Sequence, residues 1–326
     1  MRQPLACAAA ALLLISAFAF LNNTTLLTAP GSGTPKLLAH RGLAQTFSST
    51  DLKADTCTAA RIHPPEHPYI ENTLASMRAA FTLGAEIVEL DIHPTADGQL
   101  AVFHDWTVDC RTNGKGVTRD LSLAALKALD IGYGYTADGG RTFPFRGKGV
   151  GLMPSLDEVL AEFANRRLLI HIKSNDPHEG ELLAQRLSRL ASDQLGRIIV
   201  YGGARPVDVV RARLPGLKTM HADGLKQCLL RYAAIGWTGY VPAACRNSLI
   251  LVPLNYAHWL WGWPGRFLGR MRKASSEVYV LGPWRGGEFS TGIDEVEQLD
   301  QIPRDFSGGI WTNRIDRIAP ALAARR

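Results

Sequence analysis

Four short groups of reactive residues crowd one part of the chain: His40-Arg41-Gly42, Glu71-Asn72-Thr73, Glu89-Leu90-Asp91 and His104-Asp105. Histidines suit proton transfer near neutral pH. Carboxylates at i and i+2 point to the same side of a strand, and an arginine suits an anionic oxygen group. Together these residue types describe a metal-assisted phosphoryl-transfer site.

Each group also has a plainer reading. Glu89 and Asp91 lie in the run Ile87-Val88-Glu89-Leu90-Asp91-Ile92. A strand buried on both faces should be almost wholly apolar, so two carboxylates there are costly unless something positive meets them. A divalent cation is the natural partner; a salt bridge or a solvated strand edge is the alternative. His40 and Arg41 end one predicted strand, and His104 follows the strand-like Leu100 to Phe103. Two histidines across a phosphodiester can take a proton from the attacking oxygen and give one to the leaving oxygen. Asp105 either orients an imidazole or caps the following turn. Glu71 either decorates a helix N-terminus or adds a third carboxylate near the metal. Lys173 closes a predicted strand, either as a phosphate contact or as an ordinary surface charge, and His171 faces the same side two residues earlier.

The elements that must position these groups follow a repeated βα pattern. Eight strands are expected at residues 36–40, 86–92, 168–173, 197–201, 217–221, 248–253, 277–281 and 309–312, which suggests a closed barrel. Helices are expected between them at 73–83, from Leu156 after the start signal Pro154-Ser155, and at 181–191, 206–214, 225–235 and 293–299. The segment from about 100 to 151 breaks the alternation. A loop insertion that long usually has structure or a function of its own, and here it is read as a small subdomain over the C-terminal face of the barrel.

The order of these motifs, continued by Thr-Asn-Gly at 112–114, Pro-Ser-Leu-Asp-Glu-Val-Leu at 154–160 and Ile-His-Ile-Lys at 170–173, resembles the glycerophosphodiester phosphodiesterase family. The likeness runs from about Leu37 to Lys173, with a weaker extension through Ile310-Trp311-Thr312. It implies an α/β fold, a TIM (β/α)8 barrel with a small inserted subdomain after strand 2, spanning 35–326. It implies hydrolysis of glycerophosphodiesters to glycerol phosphate and an alcohol through a cyclic phosphate. His40 and His104 would be the acid/base pair, and Arg41 and Lys173 would contact the phosphate. One divalent metal ion, calcium or magnesium, would be held by Glu89 and Asp91, with Glu71 close by. One departure stands out: the family usually has Glu where this chain has His171. An imidazole among the ligands favours manganese or zinc, unless His171 stays off the metal. The rival functions are a phospholipase acting on lysophospholipid or other lipid phosphodiesters, and a non-catalytic phospholipid-binding envelope protein.

The chain has 326 residues, 46% of them hydrophobic, enough for one large domain with a sizeable core. Its net charge of +6 is read as scattered, which fits a solvated basic surface or a membrane-facing one and does not favour nucleic acid. Residues 1–30 carry an apolar run from Leu5 to Leu21, the layout of a signal peptide or a membrane anchor. The domain is therefore expected to be exported, periplasmic or extracellular-facing. Of five cysteines, Cys7 belongs to that run, and Cys57, Cys110, Cys228 and Cys245 suit an oxidising compartment. Three connectivities are open, with Cys57–Cys110 and Cys228–Cys245 as one of them. Residues 258–273 hold three tryptophans followed by basic residues. They read either as an interfacial element at a membrane surface or as an outer barrel helix packed on the core. No protein partner is evident, and the substrate is a small-molecule or lipid phosphodiester.

Overall fold

A computed structural model describes residues 2–26, 33–48, 51–52, 56–286 and 291–325, with side chains from Cys7 onward. Parts of the N-terminal segment, residues 1 and 27–30, lie outside the described residues. The strands are β1 (Lys36–Ala39), β2 (Ala85–Pro94), β3 (Leu100–Val102), β4 (Arg167–Ile172), β5 (Ile198–Gly202), β6 (Lys218–His221), β7 (Leu249–Pro253), β8 (Glu277–Leu281) and β9 (Gly309–Thr312). The helices are α1 (Arg2–Asn23), α2 (Leu74–Thr82), α3 (Leu123–Lys127), α4 (Leu156–Glu162), α5 (Pro177–Leu187) and α6 (Ser192–Leu195), then α7 (Ala204–Arg213), α8 (Ala222–Ile235), α9 (Leu254–Ala257), α10 (Gly265–Lys273) and α11 (Ile315–Ala324).

Eight strands are parallel and follow the order β6-β5-β4-β2-β1-β9-β8-β7, while β3 runs antiparallel beside β2. This is the expected TIM barrel, closed except for a seam between β6 and β7. Side chains bridge that seam: Ser248 Oγ donates to the Thr219 carbonyl at 2.9 Å, and Asn247 Nδ2 to the Leu217 carbonyl at 3.2 Å. The strands read as apolar runs because both of their faces are covered; Leu168, Leu169, Ile170 and Ile172 of β4 are all fully buried.

Most expected helices form where the signals put them. Thr73 caps α2 and Ser155 caps α4, each in a reciprocal capping box with the residue three positions on. Two expectations are corrected. The helix placed at 181–191 starts instead at Pro177, because Asp176 accepts from the His178 amide and proline suits a first turn. The helix placed at 293–299 is a 3-10 turn over Val296–Gln301.

The segment after β3 builds a second apolar cluster around Phe103, Ile131, Tyr135, Phe145 and Met153, which also draws in Ile62 and Ile70. The Asp130 carboxylate gathers its glycine-rich stretch by accepting from the amides of Gly132, Gly147 and Gly149. Cys57 is bonded to Cys110, tying the two parts of this cluster, and Cys228 to Cys245. Among the described residues no helix is long and apolar enough to cross a membrane.

The opposite end of the barrel is closed by charge. Arg167, which begins β4, donates to both oxygens of Glu277, which begins β8, at 2.9 and 2.7 Å; Lys218 of β6 adds a bond of 2.9 Å. Burial works against ionising Glu277, but Arg167 and then Lys218 outweigh it and bring its pKa down to about 2. A depressed carboxylate pKa contributes stability above the unfolded value of 4.5 that is lost as pH falls toward 2. Glu277→Gln should therefore cost about 1–2 kcal/mol at neutral pH. Its deficit relative to the parent chain should shrink as urea titrations move from pH 5 down to about pH 2; a deficit that does not change with pH would refute the assignment.

Candidate active site

The first strand delivers its two reactive side chains through an unusual backbone. Arg41 has φ +57° and Gly42 φ +78°. A Cβ on Gly42 would lie 2.6 Å from Ser76 Oγ and 2.8 Å from the Ser76 carbonyl carbon, so only glycine lets this turn press against α2. The tight approach is fixed by the Arg41 carbonyl, which accepts from the Asn72 amide at 3.0 Å and from Ser76 Oγ at 3.3 Å. Asn72 itself sits at φ +59°, and its side chain grips Asp91 twice, donating to Oδ2 at 3.0 Å and accepting from the Asp91 amide at 3.1 Å.

Glu89 and Asp91 are fully buried, as a strand facing inward at its C-terminal mouth requires. Glu89 accepts from Tyr201 Oη at 2.7 Å and from the Arg41 amide at 3.1 Å. Asp91 receives His171 Nδ1 at 2.8 Å, and Lys173 Nζ stands 3.6 Å from the same oxygen. The Arg41 Nε lies 3.2 Å from Asp91 Oδ2 but is aligned too poorly for a hydrogen bond. Burial, then the neighbouring Asp91 charge, push the Glu89 carboxyl up. Burial opposes ionisation of Asp91 too, yet Lys173 and Arg41 hold it well below the usual range.

The two histidines have unlike partners. His40 Nδ1 meets Asn313 Oδ1 at 2.6 Å, and its Nε2 faces Glu89 at 3.8 Å. Since the Asn313 amide nitrogen is already given to Asp294, its oxygen faces the ring, which sets His40 as an Nδ1–H donor with Nε2 open. His104 Nδ1 meets Asp105 Oδ1 at 2.6 Å. Burial, then the Arg41 charge, lower the pKa of both rings. Only His104 has a carboxylate behind it.

Arg111 was not among the residues expected from sequence, although it follows Cys110 in the inserted segment. It is buried, and donates to Asp105 Oδ2 at 2.9 Å, Glu71 Oε2 at 3.0 Å, Tyr135 Oη at 2.6 Å and Thr58 Oγ1 at 2.7 Å. Glu71 spends its other oxygen on Arg41 Nη1 at 3.0 Å. Glu71 thus bridges two guanidinium groups, one through each oxygen, and it lies outside the cluster formed by Glu89, Asp91 and His171. Tyr201 and Asn313 are further partners that sequence reasoning missed. Tyr201 stacks on His171 with ring centres 4.1 Å apart.

One oxygen each of Glu89 and Asp91 and one ring nitrogen of His171 lie within 4.8 Å of one another. A carboxyl that resists ionisation beside one already ionised would gain from a cation between them, so these three residues fit a divalent metal.

Residues 40–227 match the model of the glycerophosphoryl diester phosphodiesterase family. A glycerophosphodiester phosphodiesterase of Caldanaerobacter subterraneus is 38% identical over 103 residues, 32% of this chain and 39% of that protein. One of Bacillus subtilis is 38% identical over 114 residues, 34% of this chain and 38% of that protein. The chain therefore spans about two fifths of the length of these relatives. Among solved structures, the glycerophosphoryl diester phosphodiesterase domain of a Mycobacterium tuberculosis protein superimposes with a TM-score of 0.62 at 17% identity, covering 90% of this chain and all of that one. An Oleispira antarctica phosphodiesterase, crystallised with the product sn-glycerol-3-phosphate, gives 0.55 at 17% identity over 89% of this chain and 97% of that one.

Arg111→Ala should leave Asp105 and Glu71 without their shared cation. The expected loss is about 3–5 kcal/mol of unfolding free energy, read from urea titration. A loss below about 1 kcal/mol would show that the network does not depend on it.

Proposed function

The chain belongs to the glycerophosphoryl diester phosphodiesterase family, and from that premise we propose that it hydrolyses glycerophosphodiesters to glycerol phosphate and an alcohol. The observation that carries this reading is the pairing of two open imidazoles with a buried acidic group and two cations, Arg41 and Lys173, at one barrel mouth. The phosphate would lie against Arg41 and Lys173, whose charges stabilise its oxygens as the reaction proceeds.

The unlike partners of the histidines support a different role for each. His40, whose tautomer is set by a neutral amide oxygen, is the base: its Nε2 takes the proton of the glycerol hydroxyl next to the phosphoester as that oxygen attacks phosphorus. Nearness of this internal nucleophile lowers the barrier. His104, whose protonated form is supported by Asp105, gives its proton to the departing alcohol oxygen. The cyclic phosphate is then opened by water, with His104 taking the water proton and His40 returning its own to the ring oxygen that leaves. Atoms and protons balance over the two steps.

A divalent metal held by Glu89, Asp91 and His171 would supply further charge neutralisation at the phosphoryl oxygens. The mixed oxygen and nitrogen donor set suits manganese or zinc better than calcium. Glu71 is best placed as counter-ion to Arg41 and Arg111. The two cysteine pairs support placement of the domain outside the reducing cytoplasm.

Hydrolysis of glycerophosphocholine and of lysophospholipid, after chelation and with calcium, magnesium, manganese or zinc restored in turn, tests the reading. Turnover of the first without the second is expected; turnover of lysophospholipid alone would favour the phospholipase, and none of either the binding protein. His40→Ala and His104→Ala should each reduce kcat by roughly a thousandfold with the fold intact by circular dichroism; near-normal rates in either would remove the acid/base assignment. His171→Glu should move metal preference toward calcium, and an unchanged profile would take His171 out of the ligand set.

A further inference from the structure

The charge of the chain is not spread evenly. Between Gly224 and Ser276 there are seven of its 36 Lys and Arg and none of its 30 Asp and Glu, so the remainder, with 29 and 30, is close to neutral. This acid-free stretch forms one side of the barrel, α8 to α10, and none of its seven cations forms an ion pair among the described residues. It carries exposed aromatic and aliphatic side chains as well: Trp259 is 70% exposed, Leu230 61% and Tyr240 52%. Trp261 is pinned to this side by its indole N–H, which donates to the Ala233 carbonyl at 2.8 Å, one turn from Leu230.

The same side receives the end of α1. Asn22 and Asn23 both donate to the Trp237 carbonyl, at 2.9 and 2.8 Å. Arg270 donates to the Asn22 carbonyl at 2.8 Å and to Asn23 Oδ1 at 2.9 Å, while Arg266 reaches the Thr24 carbonyl at 3.3 Å. Cations at a helix C-terminus are favourable, and Arg270 is braced by Tyr232 Oη and the Gly236 carbonyl, each at 2.9 Å. Beyond this socket α1 packs on little: Phe18 touches the edge of Trp237, whereas Leu13 and Leu14 are 71% and 72% exposed. The described part of α1 is not long and apolar enough to cross a membrane, but from Cys7 to Leu21 it is apolar except for Ser16 and largely uncovered by protein, which suits insertion into lipid.

We propose that α1 is kept in the mature protein and embedded in an anionic phospholipid bilayer, with the α8 to α10 side resting in the headgroup layer around its root. The basic excess supplies the attraction to anionic headgroups, the tryptophans and Tyr240 suit the interface, and the socket ties the two elements into one membrane-facing unit. The proposal stands apart from the hydrolytic reading and is tested without measuring hydrolysis.

The full chain is mixed with vesicles of about three parts phosphatidylcholine to one of phosphatidylglycerol, with acyl chains brominated near the headgroup. Tryptophan fluorescence should be quenched, and Trp259→Ser with Trp261→Ser should remove about half of that quenching. Replacing the exposed Arg231, Arg272 and Lys273 by serine should cut the preference for these vesicles over pure phosphatidylcholine by about fivefold per residue. Mass spectrometry of the chain from membranes should find α1 present. Equal quenching in the parent and double variant, unchanged lipid preference, or a mature N-terminus beyond Asn23 would each overturn the proposal. A stable dimer that shields Trp259 from acrylamide without lipid-dependent quenching would overturn it in favour of a second copy.

Discussion

Two carboxylates with no exposed surface, side by side at one end of a barrel strand, set the terms for everything around them. Glu89 and Asp91 cannot both keep their charge in an apolar interior without partners. The chain answers with five residues from four places: Arg41 from the end of β1, Asn72 from the turn before α2, His171 and Lys173 from β4 and just after it, and Tyr201 from β5. The residues that give the site its chemistry are thus also the ones that make the strand tolerable. Removing one of them disturbs both folding and reactivity, and only a comparison of the two readouts can separate the effects.

A second tier of contacts keeps this arrangement from collapsing on itself. Arg41 sits near three carboxylates and would be free to pair with any of them, but Glu71 holds one end of its guanidinium, and Arg111 holds Glu71. Arg111 reaches the site from a segment clamped by the Cys57–Cys110 bond, and Thr58, the residue after Cys57, accepts from Arg111 in turn. The segment after β3 therefore reaches into the site. It fixes Asp105, and through Asp105 the ring of His104. At the far end of the barrel, the socket for α1 lies by the end of α8 and the last turn of α10, the ends that lead back to the strand starts.

Much of this was legible in the sequence. The eight parallel strands were found within a residue or so because double-sided burial demands runs such as Leu168-Leu169-Ile170, and the capped starts at Thr73 and Ser155 carried their own signals. The 3-10 turn at Val296–Gln301 was misread because apolar residues three apart, Ile293, Val296 and Leu299, satisfy a 3-10 repeat as well as a helical one. In the site, residues at strand ends could be placed by alternation alone. Tyr201 could have been found in the same way, since it lies at the same level of the barrel as His171. Arg111 could not, because no periodicity reports that an arginine in an irregular segment will be fully buried. Nor did the overall charge reveal that its excess lies on one side, since a sum over the chain is blind to where acids are missing.

The seam between β6 and β7 has a consequence of another kind. Backbone ladders lock neighbouring strands into one register, but here two side chains, Ser248 and Asn247, do the joining. The family match ends at residue 227, a few positions past β6. A junction so lightly stitched leaves the three-strand portion beyond it held to the rest of the sheet mainly through the β1–β9 ladder, so any exchange of that portion has to keep the register of β9 and the Asn313 that orients His40. The barrel can thus be cut at one edge of that portion far more readily than at the other.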